Sequence, residues 1–478
     1  MQHNPSPLAM FPGRDELFAE HLARANRVRR VTATRNILDR DGHLLLSRGA
    51  QVDEECAARI RKQGLLCPLD SQIALSEVLT VGTLRQRFEA MFRAYPDVKF
   101  IHRALGLEPA LQGLLRSTNL FPDSLWLRLS VLETSLPEVF QKAVLCAWLA
   151  LMIGNQAELP DEVFESAFLA ALLKDIGILH LDPAIVERKG WLGPNEWREI
   201  QTHVVLGAAL LSDVEALSPM VSEGVAEHHE RSDGTGYPYA LHGDDLHIVG
   251  QLVGLADGLQ AVRSGPLAAA GYSLSDALYF LRMTTAPPYE ELHFAAVTAI
   301  ERAQLEPTVR RPAGGIGFYR DVLIARSEAI SGSHNALDDL FFALNDAEAG
   351  VDTPLITMVA RALGMIVDTG LVKAETSAWL MDVLEPADDQ TVADMNGVEL
   401  AQNEVLWQFR NTLRTLEGAL RREELEGAIK QYADAAVESL ARCLGSLGFR
   451  DVRETLPPHE GIRALLSRNV DSVPLAAC

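Results

Sequence analysis

Apolar and polar residues recur with helical spacing over most of this chain. Between residues 76 and 120 the apolar positions repeat every three or four residues, as at Leu84, Phe88, Met91 and Phe92. This spacing places the apolar side chains on one face of a helix. Residues 130–305 have a mostly helical pattern, and so does the chain beyond residue 315 up to about Leu447. We therefore predict a mainly α fold.

A small α+β module is predicted before these helices. Two apolar runs flank the pair Asp41–Gly42, and an Asp-Gly pair in this position is typical of a β-hairpin. Residues 53–63 then have the pattern of a short helix that ends at Gly64. Seven arginines and two aspartates lie between residues 20 and 51. This basic stretch fits either a solvated face of the small sheet or a docking patch for an acidic partner.

The pattern divides the chain into four parts. We predict an N-terminal hairpin-containing module at 1–75, a helical connector at 76–129, a helical domain at 130–310 and a C-terminal acidic helical domain at 320–478. A Pro/Gly break at 307–315 is a candidate hinge before the last part. Within that last part, an apolar stripe fits either a core seam or the seam of a homodimer. The stripe consists of Leu406, Phe409, Leu413, Leu416 and Leu420.

Composition narrows the class of protein. A length of 478 residues suggests about three domains. Lys and Arg total 43 and Asp and Glu total 65, so the net charge is −22. An acidic surface repels phosphate backbones, so we expect no nucleic-acid partner, although one small basic pocket for a phosphorylated ligand stays compatible with the charge.

The cysteine pattern and the length of the apolar runs indicate the cellular location of the protein. The chain has five cysteines and no CxxC pair, which argues against a disulfide framework and a structural zinc finger. The longest wholly apolar run is 143–153, too short for a helix that crosses about 30 Å of hydrocarbon. The N-terminus lacks the pattern of a signal peptide. We therefore expect a cytoplasmic location and no membrane span.

Five residues on apolar helices are of the types whose side chains can bind metals. They are Asp175, His203, His228, His229 and Asp257. Imidazole and carboxylate groups are usual ligands of iron and manganese. Adjacent helical residues point about 100° apart, so neighbouring histidines could each serve one of two ions. Two-metal sites suit phosphodiester hydrolysis because they hold the attacking and leaving oxygens in line.

The motif around these residues resembles a known family. The segment HHERSDGTGYP, with KDIG about 50 residues before it and LAD about 20 residues after it, resembles the HD-GYP domain of the HD phosphohydrolase superfamily. The similarity covers about residues 130–305. It implies an all-helical domain with a centre of two or three metal ions that hydrolyses cyclic di-GMP. It also implies possible contact with GGDEF proteins.

The resemblance assigns roles to individual positions. Asp175 matches the aspartate of the HD pair, His203 the histidine of the following helix, and Asp257 the late aspartate. His228 and His229 match the two adjacent histidine ligands. The signature loop is matched by Asp233, Gly234, Gly236, Tyr237 and Pro238.

This chain departs from the family pattern at both metal-binding and substrate-binding positions. Lys174 stands where the family has the histidine of the HD pair, and a lysine ammonium cannot coordinate a metal. Ile178 stands where the family has a lysine. The loop after Asp257 has only Arg263 as a basic residue, where the family has a clamp for substrate phosphates.

Two further positions stay open. The upstream ligand of the family falls near Glu138 or Phe140, because the register is uncertain by two residues. His180 is either a substitute for the missing lysine or an ordinary loop histidine.

The departures give a hypothesis for the site. Without a metal, Asp175 and Asp257 would repel each other if they lie close together. The Lys174 ammonium would neutralise them and turn a metal site into an ion-pair network. We then expect no resident cofactor, or divalent iron or manganese if the protein is an active enzyme.

Three functions follow as alternatives. The first is a degenerate HD-GYP protein that acts as a binding or signalling module, with cyclic di-GMP, a GGDEF protein or another signalling protein as possible partner. The second is an active cyclic di-GMP phosphodiesterase with an altered metal site. The third is a structural scaffold that retains the signature loop by descent.

Overall fold

A computed structural model describes residues 13–188, 194–232, 236–267, 271–282, 290–306, 308–346, 353–368, 371, 374–421 and 425–447. Residue contacts divide the chain into two units. The first comprises the described residues up to Ala261 together with Glu291–Ala303. The second comprises those of Val262–Glu290 and those from Gln304 onward. The four-part division drawn from the sequence is finer than this and stays a prediction.

The first unit begins with the predicted α+β module. Its helices are α1 (Arg14–Asn26) and α2 (Glu54–Gln63), and its strands are β1 (Val31–Ala33), β2 (Ile37–Leu38), β3 (Leu44–Leu46) and β4 (Ile73–Leu75). Strand β2 pairs antiparallel with β3, which confirms the hairpin around Asp41–Gly42, and β1 pairs antiparallel with β4. The Asp53 carboxylate caps α2, and Gly64 ends it at a φ of 76°.

Helices make up most of the remainder of this unit, as the periodicity predicted. They are α3 (Val81–Ala94), α4 (Pro96–Ala104), α5 (Glu108–Ser117), α6 (Asp123–Ser135), α7 (Pro137–Gln156), α8 (Asp161–Leu173), α9 (Pro183–Val186), α10 (Pro194–Gln201), α11 (His203–Ser212), α12 (Pro219–Glu227), α13 (Ile248–Val262) and α15 (Glu290–Arg302).

Helix α7 forms the centre of this core. Every residue from Ala143 to Gly154 is buried. Among the described residues, α7 is the one helix whose length and composition would let it cross a membrane, but 72% of its most apolar window is buried inside the protein. A core helix of a folded domain has the same property.

Helix α1 packs against the turn that follows Asp175. The Phe18 ring stacks on the His180 ring with centroids 5.4 Å apart. His180 donates from Nδ1 to the carbonyl of Arg14 at 3.0 Å, and His21 donates from Nε2 to the carbonyl of Leu181 at 3.2 Å. His180 therefore serves the packing of α1, and its interpretation as a substitute for the missing lysine is wrong.

Ion pairs within the first unit use part of the basic N-terminal stretch. The arginines Arg24, Arg27, Arg29 and Arg40 pair with Glu187, Glu54, Glu133 and Glu16 respectively. Four of the seven arginines thus have carboxylate partners in the same unit.

The second unit is also helical where it is described. Its helices are α14 (Ala277–Arg282), α16 (Ile316–Asn345), α17 (Thr353–Asp368), α18 (Ala374–Asp382), α19 (Asp389–Arg421) and α20 (Gly427–Ser446). The predicted stripe of α19 lies in the core of this unit. Leu406, Phe409, Leu413 and Leu416 are buried, and Leu420 packs against the same cluster. The stripe is thus a core seam. Pro307 lies outside the described residues, and 308–315 contains no helix.

The buried histidines predict acid-sensitive stability. Burial lowers the pKa of His21 to about 4 and that of His180 to about 3, whereas an unfolded histidine has a pKa of about 6.5. Since the folded pKa is the lower one, the stabilisation is complete above about pH 6.5 and is lost as the pH falls toward the folded pKa. Urea denaturation between about pH 7.5 and 5 should show a fall of at most about 1.4 kcal/mol per pH unit for each histidine.

His21→Gln retains an amide donor for Leu181 and removes one titrating group. Its free energy of unfolding should therefore depend less on pH than that of the unmodified protein. His242→Gln, at an exposed histidine, is the matched control and should leave the slope unchanged. An unchanged slope in His21→Gln would contradict the prediction.

Candidate functional site

Three helix ends of the first unit converge on one site. Helix α8 ends at Leu173, directly before Lys174 and Asp175, and a 3-10 turn follows at Ile176–His180. Gly177 lies in this turn against the start of α11. A Cβ atom at Gly177 would lie 2.1 Å from the carbonyl oxygen of His203. The glycine therefore allows the turn to reach the helix that bears His203.

Lys174 lies between two carboxylates. Its Nζ is 3.0 Å from Oδ1 of Asp257 and also forms a hydrogen-bonded ion pair with Oδ2 of Asp175. The side chains of Lys174, Asp175 and Asp257 are 5%, 9% and 18% exposed. This is the geometry that the ion-pair hypothesis requires. The assignment of the two aspartates as metal ligands stays a prediction.

The charges of this triad stabilise one another. Burial alone would lower the pKa of Lys174, but Asp175 and Asp257 outweigh it and raise that pKa. Burial would likewise raise the pKa of Asp175, but Lys174 and His203 lower it to about 2. The pKa of Asp257 is also lowered, since Lys174 and His229 outweigh the effect of burial. At neutral pH the triad consists of one ammonium and two carboxylates.

The three histidines of the motif lie beside the triad. His203 begins α11, and His228 and His229 follow the end of α12. The centroid of the His203 ring is 5.3 Å from that of His228 and 5.2 Å from that of His229. His203 Nε2 is 3.7 Å from Oδ1 of Asp175. The structure thus brings together all five residues that the sequence singled out.

Backbone carbonyls fix the tautomers of two histidines. His203 donates from Nδ1 to the carbonyl of Ile200 at 2.7 Å, and His228 donates from Nδ1 to the carbonyl of Val225 at 2.8 Å. Both Nε2 atoms then have lone pairs when the rings are neutral, and these atoms are 3.5 Å apart. Burial lowers the pKa of His228 to about 4 and those of His203 and His229 below their usual value.

This donor set fits one divalent cation. A metal-binding histidine typically donates its other ring N–H to a carbonyl or carboxylate, as two of these do. His203, His228 and His229 can each offer an atom such that all three atoms lie within 4.8 Å of one another. A centre that also needs both carboxylates does not fit, because the Lys174 ammonium lies between Asp175 and Asp257.

A buried glutamate shapes the signature loop. The Glu230 carboxylate accepts hydrogen bonds from the backbone N–H groups of Tyr239 and of Leu241, the latter at 3.0 Å. A Cβ atom at Gly236 would lie 2.3 Å from the backbone nitrogen of Arg231, so only glycine permits this close approach. Asp233 and Gly234, two predicted loop residues, lie outside the described residues.

The signature tyrosine closes the histidine side of the site. Its ring, at Tyr237, stacks on the His229 ring with centroids 4.9 Å apart. Trp197 of α10 contacts Tyr237 edge-on at 5.9 Å. Tyr237 is buried, and Pro238 follows it. The structure thus places the tyrosine of the signature loop against a histidine ring.

Some residues of the site were missed by sequence reasoning. One of them is Cys146 of α7, whose thiol is buried. Burial and the charge of Asp257 raise the pKa of this thiol. Of the two candidate positions for the family's upstream ligand, Glu138 is exposed and Phe140 offers no ligand atom. Glu230 was visible in the motif but had no assigned role.

Two positions that depart from the family pattern lie partly or fully inside the fold. Ile178 is half-buried in the 3-10 turn, and Arg263 is 6% exposed. A buried arginine is not placed like a surface clamp for phosphate groups.

Comparison with known proteins agrees with the geometry. Residues 129–287 match the family model of the HD domain. A cyclic di-GMP phosphodiesterase of Pseudomonas aeruginosa is 31% identical over 157 residues, which are 33% of this chain and 38% of that protein. The 3′3′-cGAMP-specific phosphodiesterase 1 of Vibrio cholerae is 27% identical over 194 residues, 41% of this chain and 42% of that protein.

A solved HD-GYP-type protein from Bdellovibrio bacteriovorus aligns with 57% of this chain and 94% of its own, at 15% identity and a TM-score of 0.29. This chain covers less than half the length of the two curated relatives described. The segment around the site therefore matches the HD domain family, and its curated relatives include a cyclic di-GMP and a 3′3′-cGAMP phosphodiesterase.

Removing the Lys174 ammonium should destabilise the fold. Lys174→Met leaves two buried carboxylates without their counter-charge, and breaking a buried ion pair in this way costs about 3–5 kcal/mol. Urea denaturation at neutral pH measures the loss. Lys142→Met, at an exposed lysine of α7, is the control and should change stability by less than about 0.5 kcal/mol.

A second substitution tests the cause. Adding Asp257→Asn to Lys174→Met removes one of the two repelling charges and should restore part of the lost stability. Lys174→Met with the stability of the unmodified protein would show that the ammonium does not hold the site together.

Proposed function

We propose that this chain is a non-catalytic or weakly catalytic HD-GYP protein that works in the cytoplasm as a binding or interaction module of bacterial cyclic di-GMP signalling. The observation that carries the proposal is the position of the Lys174 ammonium between Asp175 and Asp257. A two-metal hydrolase needs its carboxylates for the ions that hold the attacking and leaving oxygens. Here both carboxylates are paired with a side chain.

Charge at the site also argues against strong catalysis. One ammonium and two carboxylates give the triad a net charge of −1, and the three neighbouring histidines are neutral at pH 7 because their pKa values are lowered. A cyclic dinucleotide has two negative phosphodiesters. Since like charges repel, this surface does not favour its approach. We therefore favour a protein partner, namely a GGDEF protein, another signalling protein or a second copy of the chain.

The histidines favour a second candidate function, an active phosphodiesterase with an altered metal site. The Nε2 lone pairs of His203 and His228 face each other, which suits one ion of iron or manganese. Such an ion would supply a Lewis acid for the phosphodiester. In that case His203, His228 and His229 would hold the ion, and Tyr237 would fix the His229 ring.

Metal content and hydrolysis together test the proposal. We expect protein purified without chelator to contain fewer than two iron or manganese ions per chain by mass spectrometry. With added Mn²⁺ or Fe²⁺, its hydrolysis of cyclic di-GMP should stay at the level of His228→Ala. Lys174→His should increase the metal content, because it replaces a cation by a ligand, and Lys142→His is the control.

The opposite outcome is equally clear. Hydrolysis by the unmodified protein with added Mn²⁺ or Fe²⁺ that is lost in His228→Ala would overturn the proposal and establish the second candidate, whether one or two ions are bound. Calorimetric titration with cyclic di-GMP then separates the remaining alternatives. Heat of binding without turnover indicates a ligand sensor, and its absence indicates a module that contacts protein.

A further inference from the structure

An apolar groove lies on the first unit, outside the site described above. It consists of two neighbouring cavities of about 200 and about 370 Å³ that share Leu120 and Ala216. The first extends to Leu169 and Val221, and the second extends to Leu125. Leu120 is 54% exposed at the junction of the cavities. Each cavity exceeds the roughly 150 Å³ that takes a benzene ring, so each can hold an apolar side chain.

Carboxylates surround this groove. Glu162 and Glu165 line the smaller cavity, and Asp213 and Glu215 line the larger one. The basic residue among the described lining residues is Arg128, which donates to Asp70 at 2.8 Å. The charge of that arginine is therefore already matched, and the rim is acidic over an apolar floor.

The groove is at the far ends of the helices that form the candidate site. Helix α8 starts at the groove and ends before Lys174. Helix α11 starts at His203 and ends at the groove, and α12 starts at the groove and ends before His228. At 1.5 Å per residue the two places are separated by roughly 15–20 Å along the helices. An occupant of the groove would thus leave the signature loop uncovered.

We propose that the groove binds a basic amphipathic segment of a partner protein. Two apolar side chains of the segment enter the two cavities, and its Lys or Arg residues pair with the carboxylates of the rim. An amphipathic helix in an apolar groove is a common mode of peptide recognition, and complementary charge provides specificity and speed of association. This goes beyond the proposed function and does not depend on whether the site is catalytic.

A model peptide tests this with the full-length protein. The probe is a rhodamine-labelled helical peptide of leucine and lysine of about 18 residues, roughly 27 Å long, and anisotropy measures its affinity. Asp213→Lys with Glu215→Lys should weaken binding about tenfold. Both residues are exposed, and cations suit the end of α11. Leu120→Ser, at an exposed leucine, should weaken binding about threefold.

A matched double variant controls for the general acidity of the chain. Glu55→Lys with Glu77→Lys makes the same change in net charge at exposed positions of this unit outside the groove, and it should alter affinity by less than about twofold. Circular dichroism and the urea midpoint should confirm that all variants fold as the unmodified protein does.

Four results would overturn the proposal. Equal weakening in the control variant would mean that the probe senses only net charge. Equal binding of a peptide with serine in place of leucine would mean that the cavities take no apolar side chain. Equal binding of a peptide with glutamine in place of lysine would assign the groove to an uncharged apolar ligand. Failure of the leucine–lysine peptide to bind at about 100 µM also contradicts it.

Discussion

The candidate site depends on a buried ammonium held by two carboxylates. A charge as deeply buried as that of Lys174 is tolerated only when it is paired, because desolvation disfavours it strongly. Asp175 is the next residue in the chain, so the end of α8 supplies both charges of one pair. Asp257 comes from α13, and the second pair therefore joins two helices. The same contact leaves the carboxylates unavailable for a pair of metal ions.

The histidines of the site interact differently from the charged triad. The triad pairs each carboxylate with the Lys174 ammonium, whereas the Nε2 atoms of neutral His203 and His228 are two acceptors 3.5 Å apart. Two facing lone pairs are relieved by a proton or by a cation. For this reason the binding of a single ion by the histidines is compatible with both candidate functions.

Local patterns predicted much of this arrangement, and tertiary contacts decided the remainder. The hairpin, α2 and the five histidines and aspartates follow from short-range pattern and motif. The role of His180 did not, because its environment is made by Phe18, which is far away in sequence. Cys146 was missed since the register of an all-apolar helix gives no indication of which residue faces a site, and only packing sets that direction.

The two ends of the helices that form the candidate site differ in how tightly they are packed. At one end the close approach at Gly177 and the triad demand tight, fixed packing. At the other end the starts of α8 and α12 leave cavities beside exposed Leu120, where the surrounding acidic side chains are solvated. A rigid centre in which the Lys174 ammonium is paired with both carboxylates gives these helices a stable frame. If the groove binds a partner as proposed, the open end is the part of these helices that such contact would shape, while the paired centre stays fixed.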